Sequence, residues 1–233
     1  MPRQIPQGDA SLSRELGARQ PVWDLPTRLT HWLLAALIAF SWWSAEYHRT
    51  EWHIWSGCAI LALLLFRLLW GLFGSSTARF SNFVRGPGAV AGYLRGHWRG
   101  IGHNPLGALS VVALLLAVAI QVGLGLVAQD EDGLFFGPLA QLVSSDTSDS
   151  ARDLHEQWFD ILLYLIVLHV AAIAFYRLFS GKKLTGAMIS GRGEVVPGAP
   201  PMRPAKWWVA LLCLTAAVAI TRWVVAGAPP FGP

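Results

Sequence analysis

Five stretches of the chain run for about twenty residues with almost no polar position, separated by shorter segments in which charges, glycines and prolines collect. They extend roughly from Pro26 to Ala45, Trp52 to Phe73, Pro105 to Ala128, Leu154 to Phe179 and Trp207 to Gly227. A bilayer core of about 30 Å is crossed by roughly 20 mostly apolar helical residues, so each stretch predicts a transmembrane helix. Helices satisfy their own backbone groups in lipid, and the expected fold class is an all-α integral membrane bundle of four helices with a fifth, C-terminal one. The pattern divides the chain into a polar tail (1–21), the four-helix unit (22–192), a Pro-rich linker (193–205) and the fifth helix with a short tail (206–233). The first twenty residues contain Arg3, Asp9, Arg14, Glu15 and Arg19 and no apolar run, so no cleavable signal peptide is expected.

Composition agrees with the pattern: 54% of residues are hydrophobic, only 14% are charged, and the mean hydropathy is +0.44. These values exclude a soluble domain. The formal net charge of +4 is unevenly placed. Between the second and third stretches Arg79, Arg85, Arg95 and Arg99 occur with no acid from Ser75 to Asn104, and Lys182, Lys183, Arg192, Arg203 and Lys206 follow the fourth against a single Glu194. The segment Gln129 to Asp153 has the opposite balance, with Asp130, Glu131, Asp132, Asp146, Asp149 and Asp153 against Arg152. By the positive-inside rule the basic segments face the cytoplasm and the acidic one the opposite side of the membrane. Five crossings then put the N-terminus inside and the C-terminus outside. The basic excess records this topology and contact with lipid headgroups; no motif supports binding to nucleic acid. Trp42, Trp43, Trp52, Trp55, Trp70, Trp207 and Trp208 collect near predicted helix ends, as interfacial anchors do. Cys58 and Cys213 lie in separate apolar stretches and suggest neither a disulfide framework nor a metal site.

Topology assigns depths to the histidines. His31 falls near the inner start of the first helix, His53 near the outer start of the second, and the fourth helix runs inward from His155 to His169. Fourteen residues separate the last two, about 21 Å along a helix and close to four whole turns, so both rings leave from nearly the same face. His155 shares its depth with His53, and His169 with His31. Two such pairs suit two b-type haems, each iron held non-covalently between two imidazoles in a helical bundle. No C-x-x-C-H occurs, which excludes covalent attachment through that motif.

Other residues carry two readings each. Arg67 interrupts an apolar run fourteen residues after His53, which puts it on the His53 face at the depth of the inner pair. It either pairs with a haem carboxylate or snorkels to cytoplasmic phosphates. Arg28, one turn before His31, has the same two readings. Gly57, four residues after His53, either removes bulk beside a porphyrin or allows close helix packing, and Gly123 and Gly125 read the same way. His103, just before Asn104 and Pro105, is a candidate quinone contact or part of a structural helix start. His48 and His97 read as solvent-exposed.

Three segments resemble a known family: Val-Trp-Asp-Leu-Pro-Thr-Arg-Leu-Thr-His-Trp from Val22, Trp-His-Ile-Trp-Ser-Gly from Trp52 and Arg-Leu-Leu-Trp-Gly from Arg67. Gly-His-Asn-Pro-Leu-Gly from Gly102 and Leu-His-Val-Ala-Ala from Leu168 extend the likeness. Together they resemble the bacterial cytochrome b561 family, which includes the cytochrome b subunits of membrane-bound nickel-iron hydrogenases. The resemblance implies a four-helix di-haem protein, with His31, His53, His155 and His169 as axial ligands, that passes electrons between a periplasmic partner and the quinone pool. A cytochrome c, a dehydrogenase or a hydrogenase would fill the partner's place, and a stand-alone superoxide or quinol oxidoreductase is the variant without one. The fifth helix, with no His and no acid, departs from the four-helix pattern and is expected to pack on the bundle or on a partner. Two readings outside redox chemistry remain, a membrane transporter and a membrane anchor. Neither accounts for four depth-matched histidines, and the transporter lacks accompanying buried carboxylates.

Overall fold

The computed structural model describes residues 19–98 and 100–229. Strand β1 (Arg19–Pro21) leads into helix α1 (Leu25–Glu46), a tight turn and helix α2 (Thr50–Phe73). Two short helices, α3 (Phe80–Phe83) and α4 (Pro87–Leu94), lie between α2 and α5 (Pro105–Val127). A loop containing a 3-10 turn at Ala140–Leu142 joins α5 to α6 (Ser145–Phe179), followed by α7 (Leu184–Ser190), strand β2 (Arg192–Glu194) and α8 (Trp207–Val225). Of the 1–21 tail, residues 1–18 lie outside the described residues.

Among the described residues, α2, α5, α6 and α8 are long and apolar enough to cross a membrane. Sequence pattern predicts five such helices, and α1 is the one that differs. Its 22 residues reach about 33 Å, but Thr27, Arg28, Thr30, His31, Ser41 and Ser44 dilute its apolar character. Several of these polar groups are satisfied inside the protein: Thr30 Oγ1 donates to Pro26 O and Ser44 Oγ to Ser41 O, each at 2.8 Å.

Helix α1 packs along α2, and α5 along α6; the two pairs meet through α2 and α5, while α8 lies on the far side of α2. Neither α1 nor α2 runs closely along α6; side chains such as Leu34, Leu37 and Ile38 of α1 reach the apolar layer they share with it. A central apolar layer of Ile60, Leu64, Ala117, Val118 and Leu162 ties α2, α5 and α6 together. The second layer, Phe66, Trp70 and Ala78 against Cys213 and Ala217, seats α8 on α2. The C-terminal helix therefore packs on the bundle, and the small Ala217, fully buried, permits the close approach.

Helix α6 begins nine residues before the predicted Leu154. Its start is built from Ser144, whose side chain accepts from Thr147 N at 3.3 Å, with Asp146 in the first turn. Both favour a helix N-terminus. Ser148 Oγ donates to Val127 O at 2.6 Å, and buried Ser148 and Ala151 pack this turn on the end of α5. Asp146, Asp149 and Asp153, read as loop residues from the sequence, are thus helical. The 35-residue helix is about 52 Å long, well beyond a hydrocarbon core, and its acidic start projects from it. The loop that remains is itself ordered, since Asp130 Oδ1 accepts from Leu134 N and Phe135 N at 2.7 and 3.0 Å.

At the basic end β1 pairs antiparallel with β2, Arg19 opposite Glu194 and Pro21 opposite Arg192. Residues placed in a polar tail and in the start of a linker by sequence pattern form this clasp. Gly191, in the left-handed region at φ 77°, ends α7, and its carbonyl accepts from Val22 N and Trp23 N at 2.8 and 3.1 Å. The linker is fastened too: Ser76 N donates to Arg203 O at 3.0 Å, and Arg203 N to Ser76 Oγ at 2.9 Å.

Candidate functional site

Four histidines meet as two pairs, one toward each end of the bundle. His31 on α1 and His169 on α6 have ring centroids 6.5 Å apart, and His53 on α2 and His155 on α6 are 5.8 Å apart. With imidazole–metal bonds of about 2 Å, two rings on opposite sides of one metal ion place their centroids roughly 6 Å apart. Both pairs have that spacing. Among the described residues no group of three or more His, Cys, Asp or Glu converges on a metal position. A porphyrin brings four nitrogens of its own, so its iron needs only two from the protein.

Three of the rings are oriented by a neighbouring helix. The Nδ1 of His53 lies 2.9 Å from the carbonyl of Ser41, and that of His155 lies 2.9 Å from the carbonyl of Gln121. Gln121 Nε2 also donates to His155 O at 3.0 Å. The Nδ1 of His169 is 3.3 Å from Ser110 Oγ. A hydrogen-bonded Nδ1–H fixes the tautomer that leaves Nε2 free as a ligand. His31 differs, because its Nδ1 is buried without a partner.

The glycines near the pairs differ in what surrounds them. A Cβ at Gly57 would meet nothing within 4 Å, and the same holds at Gly123, so both border open space. Gly125 has a different role from the one read in the sequence: a Cβ there would stand 2.9 Å from His155 Cε1, so this glycine makes room for the imidazole. Between the pairs, Leu162, seven residues from each α6 histidine and 2% exposed, sits in the central apolar layer.

The basic end contains a polar and aromatic cluster beside the His31–His169 pair. His103 lies between the rings of Trp23 and Phe83, with centroids at 4.5 and 4.7 Å. Part of the residue reaches the surface, yet its Nδ1 is sealed and has no partner. Burial, followed by the positive fields of Arg67, His169 and His31, pushes its pKa down to about 3, which keeps the ring neutral at physiological pH. Arg67 is 6% exposed, too buried to reach lipid phosphates. Its Nη1 donates to Ala78 O at 3.3 Å, and its guanidinium lies 5.0 Å from the Phe80 ring centroid. Asp24, absent from the residues singled out by sequence, organises this corner. One oxygen caps α1 by accepting from Thr27 N at 2.7 Å, and the other accepts from Trp70 Nε1 at 3.1 Å, while its charge acts on Arg67. Arg28 turns to the clasp, where Nη2 donates to Ile189 O. His48 and His97 are exposed, His48 in the α1–α2 turn at φ 52°.

The family model for prokaryotic cytochrome b561 matches residues 22–191, which takes in both histidine pairs and the basic-end cluster. The chain belongs to the prokaryotic cytochrome b561 family. Membership in cytochrome b561 implies haem b binding and transmembrane electron transfer in a multi-pass bacterial membrane protein. The match ends at Gly191, so α8 lies outside the matched region. Comparisons with curated proteins and with solved structures yield no match.

Proposed function

We propose that the chain carries electrons across the bacterial inner membrane through two b-type haems, between a periplasmic redox protein and the quinone pool. The observation that carries this reading is the presence of two His–His pairs at bis-imidazole spacing, at opposite ends of one bundle. Bound haem supplies reversible one-electron chemistry at its iron. His53 and His155 would hold one iron, His31 and His169 the other. The carbonyls of Ser41 and Gln121 orient the first pair by accepting from Nδ1, and Ser110 orients His169 from the same position. Such partners raise ligand basicity and hold ring direction. Gly57, whose missing side chain leaves open space on the His53 face, would border one porphyrin, and Arg67 or Arg28 would offer a cation to the carboxylates of the other.

With the basic end in the cytoplasm, five crossings put the N-terminus inside and the C-terminus outside. Asp130, Glu131 and Asp132 and the projecting start of α6 then face the periplasm, where a basic cytochrome c, or a dehydrogenase or hydrogenase with a basic patch, is electrostatically matched. Quinone reacts at the cytoplasmic end. There the neutral His103, set between the tilted rings of Trp23 and Phe83 and partly open to the surface, offers its other ring nitrogen, as an N–H donor, to a quinone carbonyl.

Vesicles holding the protein, with ferricyanide trapped inside and a quinol analogue outside, test the proposal. Quinol-dependent loss of internal ferricyanide is expected; no loss from haem-loaded protein contradicts it. His103→Leu is expected to slow quinol-dependent haem reduction about tenfold or more, as removal of a polar contact to a bound substrate does. Dithionite reduction should stay unchanged, and an unaltered quinol rate would remove His103 from the quinone site. In Gly125→Ala the new methyl pushes the His155 ring from its position. A well-folded protein with weakened haem retention at the His53–His155 pair is expected, by about tenfold or more, and spectra after gel filtration measure it.

A further inference from the structure

The turn between α6 and α7 brings three cations around a cavity that the electron-transfer reading does not use. Arg177 from the last turn of α6 joins Lys182 and Lys183 around a space of about 300 Å³, with Ile173 and Leu184 supplying apolar walls. None of the three cations meets a carboxylate within 4 Å; the ion pairs among the described residues are those of Arg152 at the opposite end. Lys182 instead lies 5.8 Å above the ring of Tyr176, and its backbone N–H donates to Tyr176 O at 3.2 Å. Gly181, at φ 65°, supplies the left-handed residue that folds the turn back against the helix. Toward the membrane core, Ile173 and the 57% exposed Val170 stand four and seven residues before Arg177 on the same face of α6 and continue the apolar wall below the cations.

Unpaired cations beside exposed large apolar groups call for an amphiphile with an anionic head. We propose that this cavity binds the headgroup of an anionic phospholipid, with the phosphodiester held among Arg177, Lys182 and Lys183 and an acyl chain along Ile173 and Val170. An Arg fork holds a phosphate through two parallel hydrogen bonds, and basic pockets between helices at the membrane surface are the kind of place where lipid headgroups lodge. The apolar wall of Ile173, Leu184 and Val170 favours a lipid over free phosphate, which would gain nothing from it. The proposal does not depend on the haem assignment.

Full-length protein purified in a neutral detergent and titrated with phosphatidylglycerol, with bound lipids counted by native mass spectrometry, provides the test. One tightly held lipid is expected. The triple variant Arg177→Gln, Lys182→Gln, Lys183→Gln should weaken it by roughly a hundredfold, since each basic residue near an anionic surface contributes about fivefold. The double variant Lys182→Gln, Lys183→Gln alters only exposed turn residues and should show a smaller loss in a fold of unchanged melting temperature. The comparison variant Arg192→Gln, Arg203→Gln, Lys206→Gln removes an equal charge elsewhere on the basic end and should leave the lipid bound within about twofold. Equal loss in that variant, or equal binding of phosphatidylcholine, overturns the proposal. Displacement of the lipid by millimolar inorganic phosphate would make free phosphate the occupant and would likewise overturn it.

Discussion

Replacing His155 with Ala is expected to remove about half of the reducible b-type haem and leave the remainder with the spectrum of a single bis-imidazole site. The expectation follows from the division of labour on α6. Among the described residues His155 pairs with His53, at 5.8 Å, and His169 with His31, at 6.5 Å, so each ligand belongs to one pair. Fourteen residues and the apolar layer around Leu162 separate them. Loss of one imidazole therefore leaves the other pair's geometry intact. The variant also frees the Gln121 carbonyl from its Nδ1 partner, a local cost at the acidic end. His169→Ala should remove the other half of the signal. Loss of both haems in either variant, from protein that keeps its helical circular dichroism, would show that the two sites are not independent.

Asp24→Ala is expected to destabilise the protein by about 2–4 kcal/mol. About 1 kcal/mol comes from the lost cap on α1, and about 1–3 kcal/mol from leaving the indole N–H of Trp70 without an acceptor. Trp70 is 2% exposed, so water cannot readily replace the carboxylate. The substitution also strips the buried Arg67 guanidinium of the negative charge that acts on it. Asp24→Asn separates these effects, because asparagine caps a helix about as well and still offers an amide oxygen. It should lose less than half as much stability. Thermal unfolding of the two variants in one detergent measures the difference. Equal losses would mean that the charge, rather than the two hydrogen bonds, governs this corner.

What the sequence makes legible here is what depends on periodicity and length. Apolar runs locate the five long helices to within a few residues at most ends, and the rise per residue is enough to match His31 with His169 and His53 with His155. The start of α6 escapes this reading because its first turns, Ser145 to Asp153, carry polar side chains that belong in water; only Ser144 and Asp146 signal a helix there, through capping. The β1–β2 clasp escapes it for another reason. Arg-Gln-Pro and Arg-Gly-Glu are three-residue strands with no alternation, and they pair across more than 170 residues. Asp24 shows both limits in one side chain. Its place before Leu25 and Pro26 is a visible helix-start signal, but its bond to Trp70, 46 residues away, depends on how α1 lies against α2. His103 is similar: its position before Asn104-Pro105 marks a helix start, whereas the Trp23 and Phe83 rings that enclose it arrive from two other segments.

Haem stoichiometry tests the paired-histidine assignment most directly. Purified chain, assayed by pyridine haemochrome against polypeptide concentration and by dithionite-reduced minus oxidised spectra, should contain two b-type haems per polypeptide, each with low-spin bis-imidazole absorption. One haem in fully loaded protein would dismiss one of the two pairs. No haem in a folded, monodisperse sample would contradict electron transfer by this chain and return the histidines to a transporter or anchor role.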